Sequence, residues 1–265
     1  MLLSAEFRSR FPLPEGSGDV KMPKKLSRVN DFQREIATLS LGSRLCATPP
    51  RRISPMNIAD LRQEYMRSGL SEAHADPDPI RQFERWFADA LRAGVPLPNA
   101  MTLATVTPSG APSARIVLLK GVENGGFLFY TNYLSRKGRE LERRASACLL
   151  LLWSDLERQV RIDGVVQKVA AAESDAYYAT RPLGARLSAW ASAQSETVAS
   201  RQQLESAMEQ ARRRHGEQPP RPAHWGGYRV EPEAIEFWQG RSDRLHDRLV
   251  YRRNAGAWKI ERLSP

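Results

Sequence analysis

The stretch AMTLATVTPSGAPSARIVLLKGVENGGFLFYTN, residues 100–132, decides the fold class of this chain. Its apolar runs have the length of β-strands, and the turn sequences Pro-Ser-Gly-Ala-Pro and Glu-Asn-Gly-Gly separate them. Two more runs of this kind follow, ACLLLLWSD at residues 147–155 and RQVRIDGVVQKV at residues 158–169. Because the connections between these runs are short, the sequence predicts an antiparallel meander.

Helical patterns lie on both sides of the first strands. Apolar residues recur at helical spacing over residues 57–66 and 79–93, and Ser135 predicts a capped helix between two strands. Two further helices are predicted over residues 172–180 and 196–214. We expect the apolar stripe of the last helix to pack in the core. That stripe consists of Val198, Leu204, Met208 and Ala211.

The end of the chain is again strand-like. Three strand regions are predicted, at residues 227–232, at 234–240 together with 244–253, and at 257–263. The whole chain then has about seven or eight strands, which is enough to close a small barrel. The sequence therefore predicts a mainly β fold with flanking α-helices, of the α+β class.

Composition limits the possible functions. A chain of 265 residues, 41% hydrophobic and 26% charged, can bury a sizeable core, and no apolar run approaches the roughly 20 residues needed to cross a bilayer. We therefore expect no membrane partner. Two cysteines and four scattered histidines argue against disulfides and against a metal site, and they suit a cytoplasmic protein. We expect Cys148, which lies among leucines, to be a small buried hydrophobe.

Residues 1–55 differ from the rest of the chain. They hold ten Lys or Arg against five acidic residues, which is half of the net charge of +10, and prolines and glycines interrupt them. The sequence predicts a mostly disordered basic extension, followed by one folded domain over residues 56–265. Met56 is a candidate translation start. Alternatively, the extension is a nucleic-acid-binding arm whose binding falls steeply with salt. For the folded domain we expect no nucleic-acid partner.

Most common enzyme signatures are missing from the sequence. It contains no G-x-x-x-x-G-K-[ST], G-x-G-x-x-G, H-E-x-x-H, G-x-S-x-G or C-x-x-C motif, which argues against common nucleotide hydrolases, dinucleotide enzymes and zinc peptidases. Basic residues instead bracket an apolar run, Arg115 and Lys120, or open a helix, Arg136 and Lys137. Each alone could be a solvated edge charge. Because a helix N-terminus with basic side chains favours phosphate, the sequence predicts a site for a phosphorylated ligand.

Strand periodicity gives two further expectations about these basic residues. Arg115 and Lys120 are an odd number of residues apart, so a regular strand would point them to opposite faces. In the segment RLHDR at 244–248, the same period would place Arg244, His246 and Arg248 on one face. A histidine between two arginines should be shifted toward its neutral form. We interpret this segment as a candidate active-site edge.

The motifs resemble one known family when they are taken together. In order, the chain carries RIVLLK (115–120), FYTN (129–132), SRKG (135–138), RQVRIDG (158–164), ESDAYYATRP (173–182), QS (194–195), WGGYRV (225–230) and IEFWQGRSDRLHDR (235–248). Their order and spacing resemble the pyridoxamine 5'-phosphate oxidases, of the FMN-binding split-barrel class, over residues 58–265. The resemblance implies a homodimer of split β-barrels with FMN in clefts between the subunits.

The resemblance also implies the roles of individual residues. The positions that match FMN contacts are Arg115, Ile116, Val117, Leu118, Leu119, Lys120, Tyr130, Thr131, Arg136, Lys137, Gln159, Gln194, Ser195, Trp238 and Arg248. The positions that match substrate contacts are Arg62, Tyr65, Lys120, Tyr177, Arg181, Arg244, Leu245 and His246, with Arg244 and His246 as the catalytic pair. One position departs from the family pattern, since Ala185 stands where a serine usually contacts the substrate phosphate.

The implied reaction is FMN-dependent oxidation of pyridoxamine or pyridoxine 5'-phosphate to pyridoxal 5'-phosphate, with dioxygen as electron acceptor and hydrogen peroxide as product. An alternative within the same fold is a different FMN-dependent oxidoreductase, or a flavin-binding protein without this activity. The phosphate set of Lys120, Tyr177 and Arg181 favours the first interpretation, and Ala185 alone favours the second.

Overall fold

The computed structural model describes residues 69–265. The predicted extension, the predicted helix at 57–66 and the candidate substrate residues Arg62 and Tyr65 lie outside this range. The described part contains five α-helices and nine β-strands. None of its helices has the length and apolar character needed to cross a bilayer.

The helices and strands alternate along the chain in short blocks. The helices are α1 (Pro79–Arg92), α2 (Arg136–Arg143), α3 (Ala171–Ala179), α4 (Leu183–Ala191) and α5 (Arg201–His215). The strands are β1 (Ala100–Val106), β2 (Pro112–Leu118), β3 (Gly121–Glu123), β4 (Gly126–Asn132), β5 (Ser146–Trp153), β6 (Arg158–Lys168), β7 (Trp225–Gln239), β8 (Asp247–Asn254) and β9 (Ala257–Arg262).

All strands belong to one antiparallel sheet that curls into a half-barrel. The order is β2-β1-β5-β6-β7-β4-β3, and β8 and β9 continue from β7. The mainly β class with flanking helices is therefore confirmed, as is the antiparallel pairing. The simple meander was wrong, because β1 pairs with β5 and β4 pairs with β7 across long stretches of sequence. The three-residue strand β3 raises the strand number to nine.

The long strand β7 joins the two halves of the sheet. Its first part pairs with β4, its last part pairs with β8, and β6 lies along its other edge. The sequence predicted two strands here, separated at Pro232, but the structure has one. Pro232 is tolerated because it faces Gly164 at a register shift, where a proline without an N–H does not interrupt the ladder.

The core lies between the curled sheet and α1. Asp78 caps α1 by accepting a hydrogen bond from the Ile80 N–H, and the helix spans nearly the predicted range. Its side chain Phe83 is fully buried and meets Phe127 of β4 edge-on, with ring centroids 5.0 Å apart. Burying an aromatic face of this kind supplies much of the stability of a small domain. Trp153 adds a hydrogen bond from its indole N–H to the Pro98 carbonyl, at 2.8 Å.

Two expectations about the C-terminal helices were wrong. The helix α5 begins at Arg201 because Ser200 caps it, with the Gln203 N–H donating to the Ser200 hydroxyl at 3.2 Å. Of the expected core stripe only Ala211 is buried, whereas Val198 and Leu204 are exposed. The helix α4 was not predicted, because its nine residues carry no strong polar and apolar alternation and no side-chain cap.

Cys148 is half-buried rather than fully buried in this structure. Burial, followed by its neighbour Asp163, raises the pKa of the thiol to about 12. The thiol is therefore protonated at neutral pH and a poor nucleophile.

Gly226 and Gly227 at the start of β7 allow two tyrosines to pack against the strand backbone. A Cβ on Gly226 would lie 2.1 Å from the Tyr133 hydroxyl oxygen, and a Cβ on Gly227 would lie 2.7 Å from the Tyr130 ring. Tyr133 in turn donates a hydrogen bond to the Gly227 carbonyl at 3.1 Å. The glycine pair thus sets the position of Tyr130, whose role in the site is described below.

We expect Gly226→Ala to lower the free energy of unfolding by about 1–3 kcal/mol, because the added methyl group must displace Tyr133. The matched control is Gly184→Ala in α4, where a Cβ meets nothing within 4 Å. That change should raise stability by up to about 1 kcal/mol. Urea unfolding at a fixed protein concentration measures both. Equal effects of the two substitutions would contradict the packing argument.

Candidate active site

A cationic cluster forms where α2 begins. Ser135 caps the helix, as predicted, by accepting a hydrogen bond from the Gly138 N–H at 3.3 Å. The Arg136 N–H donates to the Ser195 hydroxyl at 3.1 Å. The Lys137 ammonium donates to Gln194 Oε1 at 2.9 Å and to the Thr131 hydroxyl at 3.2 Å. Five of the candidate FMN residues, from three separate parts of the chain, are thus brought together.

The carboxylate of Glu140 lies next to this cluster and connects it to β2. It accepts hydrogen bonds from Arg136 Nε and Arg115 Nη2, both at 2.9 Å, and from the Thr105 hydroxyl at 2.6 Å. Burial alone would raise the pKa of Glu140, but these hydrogen bonds outweigh it and lower the pKa to about 2. Glu140 is therefore a fixed negative charge between two guanidinium groups.

Among residues 69–265 no carboxylate lies within hydrogen-bond distance of Lys137, whose contacts there are neutral oxygens. Burial and the nearby charge of Arg115 lower its pKa. An anion placed beside Lys137 would relieve both effects. The N-terminus of α2, which is eight residues long, adds its own preference for negative charge.

A cavity of about 460 Å³ opens beside the cluster. Its lining residues are Leu118, Lys120, Tyr130, Thr131, Asn132, Tyr177, Arg181, Ser188, Ala189, Ser192, Gln194 and Trp225. None of these residues is acidic. Burial, followed by the charge of Arg181, lowers the pKa of Lys120. Nη1 of Arg181 is buried and has no hydrogen-bond partner among the described residues. Within the described part of the chain, no carboxylate lines the cavity beside these two cations, which suits a phosphate group.

One wall of the cavity is aromatic. Tyr130 and Tyr177 stack with their centroids 3.9 Å apart, and Trp225 lies parallel to both rings. Arg181 lies over the Trp225 ring, 4.5 Å from its centroid. The stacked rings leave a flat apolar surface next to the two cations, as an aromatic ligand with a phosphate group would require.

Ala185 lies in α4 and is not among the residues that line the cavity. Ser188, one turn further along the same helix, does line it. The Ser188 hydroxyl donates to the Ala185 carbonyl at 3.0 Å. A hydroxyl group is thus present at the cavity wall, although it comes from a different position than the family pattern implies.

A second group of candidate residues lies on the outer face of the sheet. Gln159 pairs directly with Trp238, and Trp238 pairs directly with Arg248, so all three side chains share one face. His246 lies against Trp238, with ring centroids 4.7 Å apart. Arg248 donates from Nε to Glu236 at 2.8 Å. The structure thus brings these candidates together as a separate set.

The expected strand face at residues 244–248 was wrong. Arg244 ends a short 3-10 turn with a φ of 59°, and the strand begins only at Asp247. His246 is oriented by the Arg241 N–H, which donates to its Nδ1 at 3.2 Å. The expected shift of the histidine is confirmed in direction, because burial and then the charge of Arg244 lower its pKa. Leu245 is 72% exposed.

The expectation that one regular strand would point Arg115 and Lys120 to opposite faces does not apply either. The strand β2 ends at Leu118, so Lys120 lies beyond it and is free of the strand alternation. Between them, Ile116 and Leu118 are exposed and Val117 is half-buried. Leu119 instead faces the core, and its backbone N–H and C=O both bind Asn99.

The two groups of candidate residues lie at opposite ends of β7. Tyr130 pairs with Gly227 near the start of this strand, whereas Trp238 is next to its last residue. Gly227 and Trp238 are eleven residues apart, and a straight strand of this length would span up to about 36 Å at roughly 3.3 Å per residue. The two groups therefore lie at different places on one protomer.

Sequence reasoning missed Glu140 and gave Trp225 no binding role. Glu140 follows Arg136 by four residues on a helix, and that spacing is the signal that could have revealed the ion pair. Trp225 precedes the two glycines, but its stacking depends on strands that are far apart in sequence. Within residues 69–265 no three His, Cys, Asp or Glu side chains form a group that could hold a metal ion.

Comparison with known proteins identifies the family. Residues 87–215 match the family model described as pyridoxamine 5'-phosphate oxidase, and residues 225–265 match the one described as pyridoxine 5'-phosphate oxidase C-terminal dimerisation region. A Cupriavidus metallidurans protein named pyridoxine/pyridoxamine 5'-phosphate oxidase is 61% identical over 209 residues, covering 78% of this chain and 99% of that protein. The chain belongs to the pyridoxamine 5'-phosphate oxidase family. The sequence resemblance to this family is confirmed.

Further relatives agree with this assignment. The Ralstonia nicotianae protein named pyridoxine/pyridoxamine 5'-phosphate oxidase 1 is 60% identical, covering 79% of this chain and 99% of that protein. The crystal structure of PhzG from Burkholderia lata, in complex with tetrahydrophenazine-1-carboxylic acid, has a TM-score of 0.72 and 33% identity, covering 77% of this chain and all of that one. A Nostoc punctiforme FMN-binding protein related to the family has a TM-score of 0.58 at 20% identity, covering 71% and 98%. The split-barrel fold is thereby confirmed.

We expect Glu140→Gln to lower stability at neutral pH and to matter less as the pH falls. The folded state lowers the pKa of this carboxyl group, so its stabilising contribution is complete above the ordinary pKa of 4.5 and is lost as the pH falls toward about 2. Urea unfolding from about pH 7 to about pH 3 measures this difference. The control is Glu142→Gln, an exposed residue of the same helix. If the difference in unfolding free energy between Glu140→Gln and the parent protein stays constant with pH, the carboxyl group does not contribute to stability through its lowered pKa.

Proposed function

We propose that this chain is an FMN-dependent oxidase that converts pyridoxamine and pyridoxine 5'-phosphate to pyridoxal 5'-phosphate. Dioxygen takes up the electrons and becomes hydrogen peroxide. The observation that carries the proposal is the cavity in which Lys120 and Arg181 lie beside stacked aromatic rings without an acidic residue. The family membership of the chain supports the same substrates.

The donor set around α2 fits the phosphate of FMN. Lys137 is a half-buried cation whose hydrogen-bond partners are neutral, and the Arg136 and Lys137 positions open a capped helix. Tyr130, Thr131, Gln194 and Ser195 add hydroxyl and amide groups at the same place. When bound, FMN supplies the acceptor for a hydride from the substrate.

The cavity residues then bind and orient the substrate. Lys120, Tyr177 and Arg181 hold its phosphate by charge-assisted hydrogen bonds, and Ser188 supplies a hydroxyl on the same wall. Arg244 and His246 act over the reacting ring, where the lowered pKa of His246 leaves it neutral at physiological pH. Arg62 and Tyr65 remain predicted contacts from outside the described residues.

The active form is proposed to be a homodimer in which each site takes residues from both protomers. The two candidate groups lie at opposite ends of β7 in one chain, and the second group lies on an exposed apolar face. Leu152, which pairs directly with Gln159, is 64% exposed, and Ile116 on β2 is 65% exposed. A second copy on this face would cover these apolar groups and bring its Tyr130 region to the Trp238 region of the first.

We expect Leu152→Asp to convert the dimer to a monomer and to abolish retention of FMN, because a charge would be buried in the contact between protomers. Light scattering coupled to size exclusion measures the mass, and the flavin absorbance of the same peak measures occupancy. The control is Leu97→Asp, which is 60% exposed but lies in the loop before β1. A stable Leu152→Asp dimer with full flavin content would contradict the shared site.

The function itself is tested by the visible spectrum of the purified protein. We expect a yellow protein whose flavin absorbance bleaches when pyridoxine 5'-phosphate is added without oxygen and returns, with hydrogen peroxide, when air is admitted. A colourless protein that takes up no FMN would contradict the flavin proposal. A yellow protein that pyridoxine and pyridoxamine 5'-phosphates do not bleach would favour another FMN-dependent reaction, such as oxidation of a phenazine precursor.

A further inference from the structure

The carboxylate of Glu140 occupies a position that the fold alone does not explain. Its side chain is 3% exposed, so its charge has lost nearly all contact with water. A buried ion pair generally contributes little net stability, because desolvation offsets the attraction between the charges. The charge therefore points to a role in the adjacent cationic site.

The hydrogen bonds of Glu140 fix the direction of two guanidinium groups. Arg136 is held through Nε, which donates to Glu140 Oε1 at 2.9 Å. Arg115 is held through Nη2, which also donates to the Ser113 hydroxyl at 2.6 Å, while its Nη1 donates to the Leu103 carbonyl at 3.2 Å. One carboxylate thus locks two long side chains from different elements.

Without this carboxylate the cluster would repel itself. Arg115 lowers the pKa of Lys137, whereas Glu140 raises it. The three cations lie on β2 and α2. Without the carboxylate, the exposed Arg136 side chain would be free to adopt other rotamers in solvent, and Arg115 would keep only its neutral hydrogen-bond partners. A ligand phosphate would then have to order each of them upon binding.

We propose that Glu140 is a positioning residue that orients Arg115 and Arg136 for recognition of the flavin phosphate. This inference rests on the proposed FMN site and adds a residue to it that does not contact the ligand. The expected effect therefore concerns recognition of the phosphate.

The direction in which FMN affinity changes when the Glu140 charge is removed distinguishes a positioning role from simple electrostatics. Removal of a negative charge near a dianionic phosphate should, by Coulomb's law alone, tighten binding. If Glu140 acts by orientation, its removal should weaken binding instead, because two cations lose their geometry. Riboflavin has the same ring system but no phosphate. Under either explanation, its affinity should therefore be the same with and without the Glu140 charge.

The experiment compares FMN and riboflavin binding to the full-length dimer, by quenching of flavin fluorescence. We expect Glu140→Gln to raise the Kd for FMN by about tenfold or more and to change the Kd for riboflavin by less than about threefold. Glu140→Asp, which keeps the charge on a shorter side chain, should lie between the parent and Glu140→Gln. The matched control Glu142→Gln, an exposed residue of the same helix paired with Lys168, should leave both constants unchanged.

Three outcomes would overturn the inference: an unchanged Kd for FMN, a lower Kd for FMN, or an equal loss of affinity for FMN and riboflavin. If Glu140→Gln does not fold, Glu140→Asp carries the same test with the same three contradicting outcomes. The parent protein separates this inference from the proposed function. A parent protein that binds FMN no better than riboflavin would overturn the FMN site itself. A parent that prefers FMN leaves that site intact, and any of the three outcomes above then overturns only the inference about Glu140.

Discussion

Repulsion among partly buried cations is the constraint on which the site depends. Arg115, Lys120, Arg136, Lys137 and Arg181 are gathered where β2, β4 and α2 meet, and burial lowers the pKa of three of them. Glu140 neutralises part of this charge through its ion pairs with Arg115 and Arg136. A protein that collects unneutralised cations in this way loses stability in the unbound state and regains it when a phosphate binds.

The curled sheet explains how these cations reach one place. The hairpins β1–β2 and β3–β4 are local, but the pairing of β4 with β7 sets the end of β4 beside the glycine pair and so brings Tyr130 to Trp225. The helix α2 follows directly from β4, with Ser135 as its cap. Position in the fold, rather than proximity in sequence, therefore joins the basic side chains to the aromatic wall.

The sequence was most informative where local chemistry decides the structure. The Ser135 cap, the amphipathic α1 and the strands of residues 100–168 were predictable, because each is set by neighbours in sequence. The continuity of β7 through Pro232 was not, since it depends on the register shift at Gly164 of another strand. The turn at Arg244 and the exposure of Leu204 on α5 likewise depend on tertiary context. Glu140 was missed because its partner Arg115 lies on a distant strand.

The length of β7 has a consequence for a dimer with two sites. Its first residues form the wall of one site through Trp225, and its last residues face the other site through Trp238. In the proposed dimer each strand would therefore belong to two catalytic centres, and its hydrogen bonds to β6 run without interruption apart from one register shift. A sideways displacement of this strand when one centre fills would be transmitted to the opposite centre through backbone pairing alone, with neither a hinge nor a moving loop between them.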